Sequence, residues 1–251
     1  KVGSNKYYTL EDAFKAATSG CTIEIVSDVT VDYYWDARNT GAKFTVPVTI
    51  DGNGKTIKFT NTVYDGGNYM SAFRFEADAT VKNLTIDMSE AQSGFAGRFR
   101  AISAKANLTV DGCTFEAETY NEDVVGIKLL TTYNAVVKNS SAKNIHSLAQ
   151  FQSVDNETVI ENVKVENCKN SISLGNMALA TIKGAEISAK GYGIRLDGEK
   201  TRTVAATIEN ATITAFIPVN IRKMNDAACN VDVEFKGENN VLDGTVYEIA
   251  F

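Results

Sequence analysis

The chain has 251 residues, of which 44% are hydrophobic and 22% charged. That length carries one large domain or two small ones and buries a core without disulfides or metal. The apolar content excludes a disordered chain, and no apolar run reaches the ~20 residues of a membrane helix. A formal net charge of -6 with scattered charges argues against nucleic-acid binding, and no basic amphipathic stretch suggests docking on a membrane. Two Pro against 18 Gly, 22 Asn and 25 Thr favours many short strands joined by Gly and Asn turns.

Position 1 is Lys and no signal peptide is visible, which reads as a processed chain. Thr9-Leu10-Glu11-Asp12 offers a Thr cap with an acid three positions on, and Leu10, Ala13, Phe14 and Ala17 follow at helical spacing. Ser19-Gly20 closes a helix expected over 9–19. Cys21-Thr22-Ile23-Glu24-Ile25-Val26 then alternates like a strand.

Beyond residue 45 the chain repeats itself. A β-type segment ends in a charged residue followed by Asn or Gly, at Asp51-Gly52, Lys82-Asn83, Asp111-Gly112, Lys138-Asn139, Glu161-Asn162, Lys183-Gly184, Glu209-Asn210 and Lys236-Gly237. The Asn/Gly positions lie 31, 29, 27, 23, 22, 26 and 27 residues apart, a period that signals a solenoid or a propeller. Asn and Gly adopt positive φ most readily, which a coil needs where its strand bends onto the next face. The charged residue before each turn alternates in sign without exception, so the eight are expected to form one outward ladder on stacked coils. The sequons at Asn83, Asn107, Asn139, Asn156 and Asn210 are better explained by turn geometry than by glycosylation.

A second column runs through Ala72-Phe73-Arg74-Phe75, Gly126-Ile127-Lys128-Leu129, Ser171-Ile172-Ser173-Leu174, Gly193-Ile194-Arg195-Leu196 and Val219-Asn220-Ile221-Arg222. Its apolar members are expected to point inward and their polar neighbours outward. The chain ends on Thr245-Val246-Tyr247-Glu248-Ile249-Ala250-Phe251, which alternates like one more strand and would leave a sheet edge open. Cys21, Cys113, Cys168 and Cys229 are far apart with no CxxC, so buried free thiols are expected rather than zinc; three disulfide connectivities remain possible.

The recurring unit, as in Thr80-Val81-Lys82-Asn83-Leu84-Thr85-Ile86 and Thr158-Val159-Ile160-Glu161-Asn162-Val163-Lys164-Val165, resembles the right-handed parallel β-helix of the pectin lyase-like superfamily. The resemblance covers about residues 20–251, and Tyr8–Ala17 looks like the helix that caps the first coil in many secreted members. It implies an all-β solenoid of about eight to nine coils forming a single domain over 1–251, with an N-terminal cap helix over 9–19. It also implies an extracellular or cell-surface location. Such members include polysaccharide lyases, glycoside hydrolases, tailspikes and adhesins, so the scaffold does not decide the activity.

The catalytic signatures of polygalacturonase-like members, Asn-Thr-Asp, Asp-Asp, Gly-His-Gly and Arg-Ile-Lys, are absent. The only His, His146, has no acidic partner nearby in sequence and reads as structural. The Arg-x-Pro-x-x-Arg element of pectate lyase-like members is not matched, since Phe216 stands at the first Arg and Arg222 falls one residue late after Pro218. No run of aspartates marks a calcium site, and neither a metal nor a cofactor is expected.

Two candidate sites remain. Arg74, Lys128, Arg195 and Arg222 would form a basic column, able to act on an acidic polysaccharide by β-elimination, which needs a base at the sugar C5 and a cation for the enolate. Tyr33, Tyr34 and Trp35, with Tyr64 and Tyr69 in the next insertion and Phe95 beyond it, would offer aromatic faces to a sugar or pack over the open N-terminal coil. The leading expectation is a non-catalytic module that binds glycans or serves as an adhesin. A lyase acting on uronate polysaccharide comes second and a structural stalk third. The expected partner is a polysaccharide or glycan, with no nucleic acid.

Overall fold

A computed structural model describes residues 1–32, 42–60, 70–91, 99–129, 133–152, 157–175, 179–199, 203–224, 230–245 and 249–250. Every ladder between its strands is parallel, and the chain winds as an all-β solenoid of about seven turns. That is slightly fewer than the eight to nine expected from counting every turn residue as a coil. The ends contribute short pieces, such as Cys21–Glu24 with 4 residues and Ile249–Ala250 with 2.

Each coil visits three faces in order. The first face stacks Cys21–Glu24, 48–51, 79–82, Leu108–Asp111, Ala135–Lys138, Glu157–Glu161, Leu179–Lys183, Thr203–Glu209 and Asn230–Lys236. The second begins with Val29–Asp32 and runs through 55–58, 84–87, 114–116 and 141–143 to Val241–Gly244. The third begins with Ala42–Phe44 and Met70–Phe75 and ends with Ile249–Ala250.

The first face shows why the repeat folds this way. Ile23, Ile50, Val81, Val110, Val137, Ile160, Ile182 and Ile208 occupy one column, and all are fully buried. β-Branched side chains suit stacked strands because their χ1 freedom is already restricted. The next residue along each strand points outward and is the charged one. The column Asp51, Lys82, Asp111, Lys138, Glu161, Lys183, Glu209, Lys236 is in register at every step. Ion pairs close between Lys82 and Asp51 (2.9 Å), Lys138 and Asp111 (3.3 Å), and Lys183 and Glu209 (3.3 Å). Burial alone would raise the Asp51 carboxyl, but hydrogen bonds from Lys82, Asn53 and Asn83 outweigh it and hold it below its usual range. At Asp111 the hydrogen bond from Asn139 leads, with Lys138 adding to it.

Seven of the eight expected turn residues have positive φ: Asn83, Gly112, Asn139, Asn162, Gly184, Asn210 and Gly237. Gly52 does not. There the bend is made by Asn53 (φ 50) and Gly54 (φ 71), because two extra residues separate Asp51 from Lys55 relative to the next coil. Asparagine amides tie adjacent turns together, as Asn139 donates to Asp111 (2.9 Å) and Asn162 donates to Asn139 (3.4 Å). A second turn ladder joins Asn144 and Asn167 (φ 58 and 52), with Asn167 donating to Asn144 at 2.7 Å. At the third corner, Asp78, Asn107 and Asn134 each accept a backbone N–H from the next coil at 3.1 Å.

The cap helix spans only Leu10–Lys15, shorter than the 9–19 expected. Thr9 caps it as read, accepting from the Asp12 backbone at 3.1 Å. Residues 16–20 are instead used to turn into the first strand, with Gly20 (φ 77) at that turn rather than at the helix end. Phe14 packs edge-on against Phe44 (5.2 Å) and Phe73 (5.8 Å), so the helix still covers the first coil. Val2 bridges Ile23 and Lys1 accepts from the Glu24 backbone, closing the first edge. At the other end Phe235 and Val241 are about half exposed. Cys21, Cys113 and Cys168 are free thiols; Cys229 lies outside the described residues.

Candidate functional site

On the third face, Lys43, Arg74, Ser103, Lys128, Gln150, Ser173, Arg195 and Asn220 stand on successive rungs of one column. Their neighbours Phe73, Phe75, Ile127, Leu129, Ile194 and Leu196 are fully buried, so the column lies on the outer side of the sheet. At ~4.8 Å per rung, Arg74 and Lys128 are about 10 Å apart along the axis, and Lys128 and Arg195 about 14 Å. Arg222 is not on this column. Asn220 takes its rung, and Arg222 pairs in register with Asp197, two residues further along the same face. The basic residues expected to share a face therefore do so, three on one column and the fourth beside it.

Most of their charge is neutralised locally. Glu76 receives Arg74 (2.7 Å) and Lys43 (2.9 Å). The Lys43 hydrogen bond is the strongest influence on its carboxyl, which sits below its usual range with Arg74 adding to the shift and burial opposing it. Asp197 receives Arg195 through Nε at 2.8 Å and Arg222 through Nε at 2.8 Å. Arg74-Phe75-Glu76 and Arg195-Leu196-Asp197 place cation and acid two residues apart on a strand, hence on one face. That spacing is legible in the sequence itself.

Lys128 is different. It is only 5% exposed, and its ammonium meets the Gln150 carbonyl oxygen at 3.4 Å. It makes no ion pair among the described residues. Burial pulls its pKa down to about 8, and repulsion from Arg100 and Arg195 adds to the shift. Arg100 and Ser103 are themselves buried, as is Asn220, whose side-chain carbonyl oxygen has no hydrogen-bond partner among the described residues.

Beside this face, the corner between the second and third faces carries a polar and aromatic strip. Lys190 lies 4.0 Å from the centre of the Tyr120 ring, and Lys169 pairs with Glu122 at 3.5 Å. Asn170 contacts the His146 ring at 3.4 Å and accepts the Tyr192 N–H at 3.2 Å, while the Arg195 guanidinium lies 6.0 Å from the Tyr192 ring. Burial drives the His146 pKa down to about 4, with Lys169 adding to it, so the ring is neutral at pH 7. Tyr120 and Tyr192 lie three coils apart, each eight residues after its turn glycine, Gly112 and Gly184, a signal the sequence carries.

A cleft of about 290 Å³ opens on the second face beside Asp87, Ser89, Glu116, Glu118, Lys143 and Asn144. Its polar groups satisfy one another. Ser89 donates to Asp87, the Glu118 N–H donates to Ser89 (2.8 Å), and the Asn144 amide donates to the Ala117 and Glu118 carbonyls. Among the described residues no group of three His, Cys, Asp or Glu is arranged to hold a metal. Burial pushes the Cys113 and Cys168 thiols up to about 12, which keeps them protonated and unreactive at neutral pH. The aromatic candidates Tyr33, Tyr34, Trp35, Tyr64 and Tyr69, together with Phe95, lie outside the described residues. No helix among the described residues is long and apolar enough to cross a membrane. Compared with known proteins, the chain matches no family model and no curated sequence.

Proposed function

We propose that this solenoid is a non-catalytic glycan-binding module of a secreted or cell-surface protein, holding an extended sugar chain along the third face. The observation that carries this reading is the column from Lys43 to Asn220, eight rungs without one carboxylate, of which Lys43 is exposed and Arg74, Gln150, Ser173 and Arg195 are half-buried. A rung repeat of ~4.8 Å is close to the length of one sugar ring, so successive rungs suit successive rings. Tyr120 and Tyr192 at the adjoining corner add aromatic faces for stacking, and Tyr33, Tyr34, Trp35, Tyr64 and Tyr69 extend the same reading. The resemblance to the pectin lyase-like superfamily supports it too, since many of its members work on polysaccharides. Holding Arg74, Arg195 and Arg222 in ion pairs favours binding over turnover.

A second reading rests on Lys128. An amine with a pKa of about 8 has the basicity a general base needs for β-elimination of a uronate. One preparation tests both readings, on a glycan array and in an ultraviolet assay for unsaturated product across uronate polysaccharides. Retention without product, weakened by Arg195→Ala, is the expected outcome. Product formation that vanishes in Lys128→Met would replace binding by catalysis, and retention of no glycan with no product would leave the structural stalk.

A further inference from the structure

The outer side of the first face carries two columns. One is the charged ladder from Asp51 to Lys236. The other stands two residues earlier on each strand, hence on the same side of the sheet. It runs from Thr49 to Glu234, in register at every step, and holds Thr on five of its eight rungs. From Thr49 to Thr207 its members are half-buried, within reach of solvent. Its two apolar members are Val136 and Val159, and they occupy the two middle rungs. The ladder beside them is alternating in sign and even in number, from an acid at Asp51 to a base at Lys236.

We propose that the first face docks a second copy of this chain, antiparallel, about a two-fold axis that runs along the strand direction between Lys138 and Glu161. Such an axis lays each column on itself with its order reversed, so the first rung meets the eighth and the fourth meets the fifth. Asp51 then faces the partner's Lys236, Lys82 the partner's Glu209, Asp111 the partner's Lys183 and Lys138 the partner's Glu161. All four pairs are opposite in sign, and symmetry doubles each of them. A slip of one rung, or an axis along the solenoid centred on the ladder, sets like charges together throughout, which disfavours those arrangements. At the axis Val136 meets the partner's Val159, with threonines on either side, which gives the patch an apolar centre and a polar rim. Glu24, next below Asp51, falls outside the match and is held by Lys1 at 3.2 Å. Eight rungs at ~4.8 Å and four residues of strand make a patch of about 34 Å by 13 Å, roughly 450 Å² per copy. That area suits a weak, transient dimer rather than an obligate one. Pairing through the first face leaves the third face of each copy outward, so it is independent of glycan binding.

The test is sedimentation velocity from micromolar to millimolar protein, in low and in high salt. The wild type should show a monomer–dimer equilibrium at low salt that weakens by about tenfold or more at high salt. Lys138→Glu and Glu161→Lys each put like charges at both central pairs, and each alone should lose about tenfold or more in the dimerisation constant. Mixed in equal amounts, the two variants should associate with each other about as tightly as the wild type does, because each offers the sign the other lacks at both pairs. A ladder that serves only folding changes the stability of each variant and gives no such recovery. A wild type that stays monomeric throughout at low salt overturns the contact. So does a dimer that neither variant weakens, or a mixture that recovers nothing. A dimer lost in Phe235→Lys but kept in both charge variants moves the contact to the exposed end of the solenoid and overturns it as well. Should a charge variant fail to fold, Val136→Lys probes the same contact at its centre, and an unchanged constant there contradicts docking through this face.

Discussion

Two outward columns run the length of this solenoid, and they solve the problem of stacked charge differently. On the first face Asp51, Lys82, Asp111, Lys138, Glu161, Lys183, Glu209 and Lys236 alternate in sign, so each charge from Lys82 to Glu209 meets its opposite on both neighbouring rungs, while Asp51 stands between Glu24 and Lys82. On the third face the column is cationic or neutral throughout, and balance comes from Glu76 and Asp197 two residues away, leaving Lys128 without an ion pair among the described residues. The first arrangement specifies register. The second gives up that benefit and keeps a buried ammonium.

The largest effect should come from breaking a turn of the first column. Asn162→Val puts a β-branched residue at φ 51 and removes the amide bond to Asn139. A cost of about 2 kcal/mol is expected in urea unfolding, whereas Gln150→Val on the third face should cost far less. Gln150→Glu, which hands Lys128 a carboxylate, should stabilise by about 1 kcal/mol. A destabilised variant would mean that the amine does not lack an anion.

The pH response separates the same regions. Lys128 titrates at about 8 when folded, below its usual 10.5, so its penalty is fully present below pH 8 and relieved as pH rises. Stability should climb by about 1 kcal/mol from pH 8 to 9, a rise missing in Lys128→Met; above pH 9 the buried Cys113 and Cys168 thiols oppose it. His146 acts on the acid side, where stability should fall as pH drops from 6.5 towards about 4, a loss reduced in His146→Gln. The smallest change is expected from Lys138→Glu, which sets an acid between Asp111 and Glu161 and should cost about 0.5 kcal/mol, less in high salt. An unchanged midpoint at low salt would remove the first column from the energetics of the fold.

The first column was legible because period, parity and turn chemistry all coincide at one position. A β-branched residue, a charge and an Asn or Gly recur together, and seven of the eight turns have the positive φ that pattern requires. Asn144 and Asn167 went unread, although they repeat the 23-residue interval that separates Asn139 from Asn162. The third face was legible only in part. Parity placed Arg74, Lys128 and Arg195 outward, but Arg222 lies two residues beyond the Arg195 rung, which Asn220 occupies. No local pattern in the sequence encodes the burial of Lys128.

The stacking of coils also has a mechanical side. A rung adds only ~4.8 Å to the axis, yet a coil such as that between Asn139 and Asn162 stores 23 residues, about 80 Å of extended chain. Because each coil contacts only its neighbours, tension applied from the exposed end around Phe235 and Val241 would peel the solenoid one coil at a time. The capped end at Val2 and Phe14 would hold longest. Under such a load the solenoid would act as a series of sacrificial springs, each coil lengthening the chain in turn while the coils beneath stay folded.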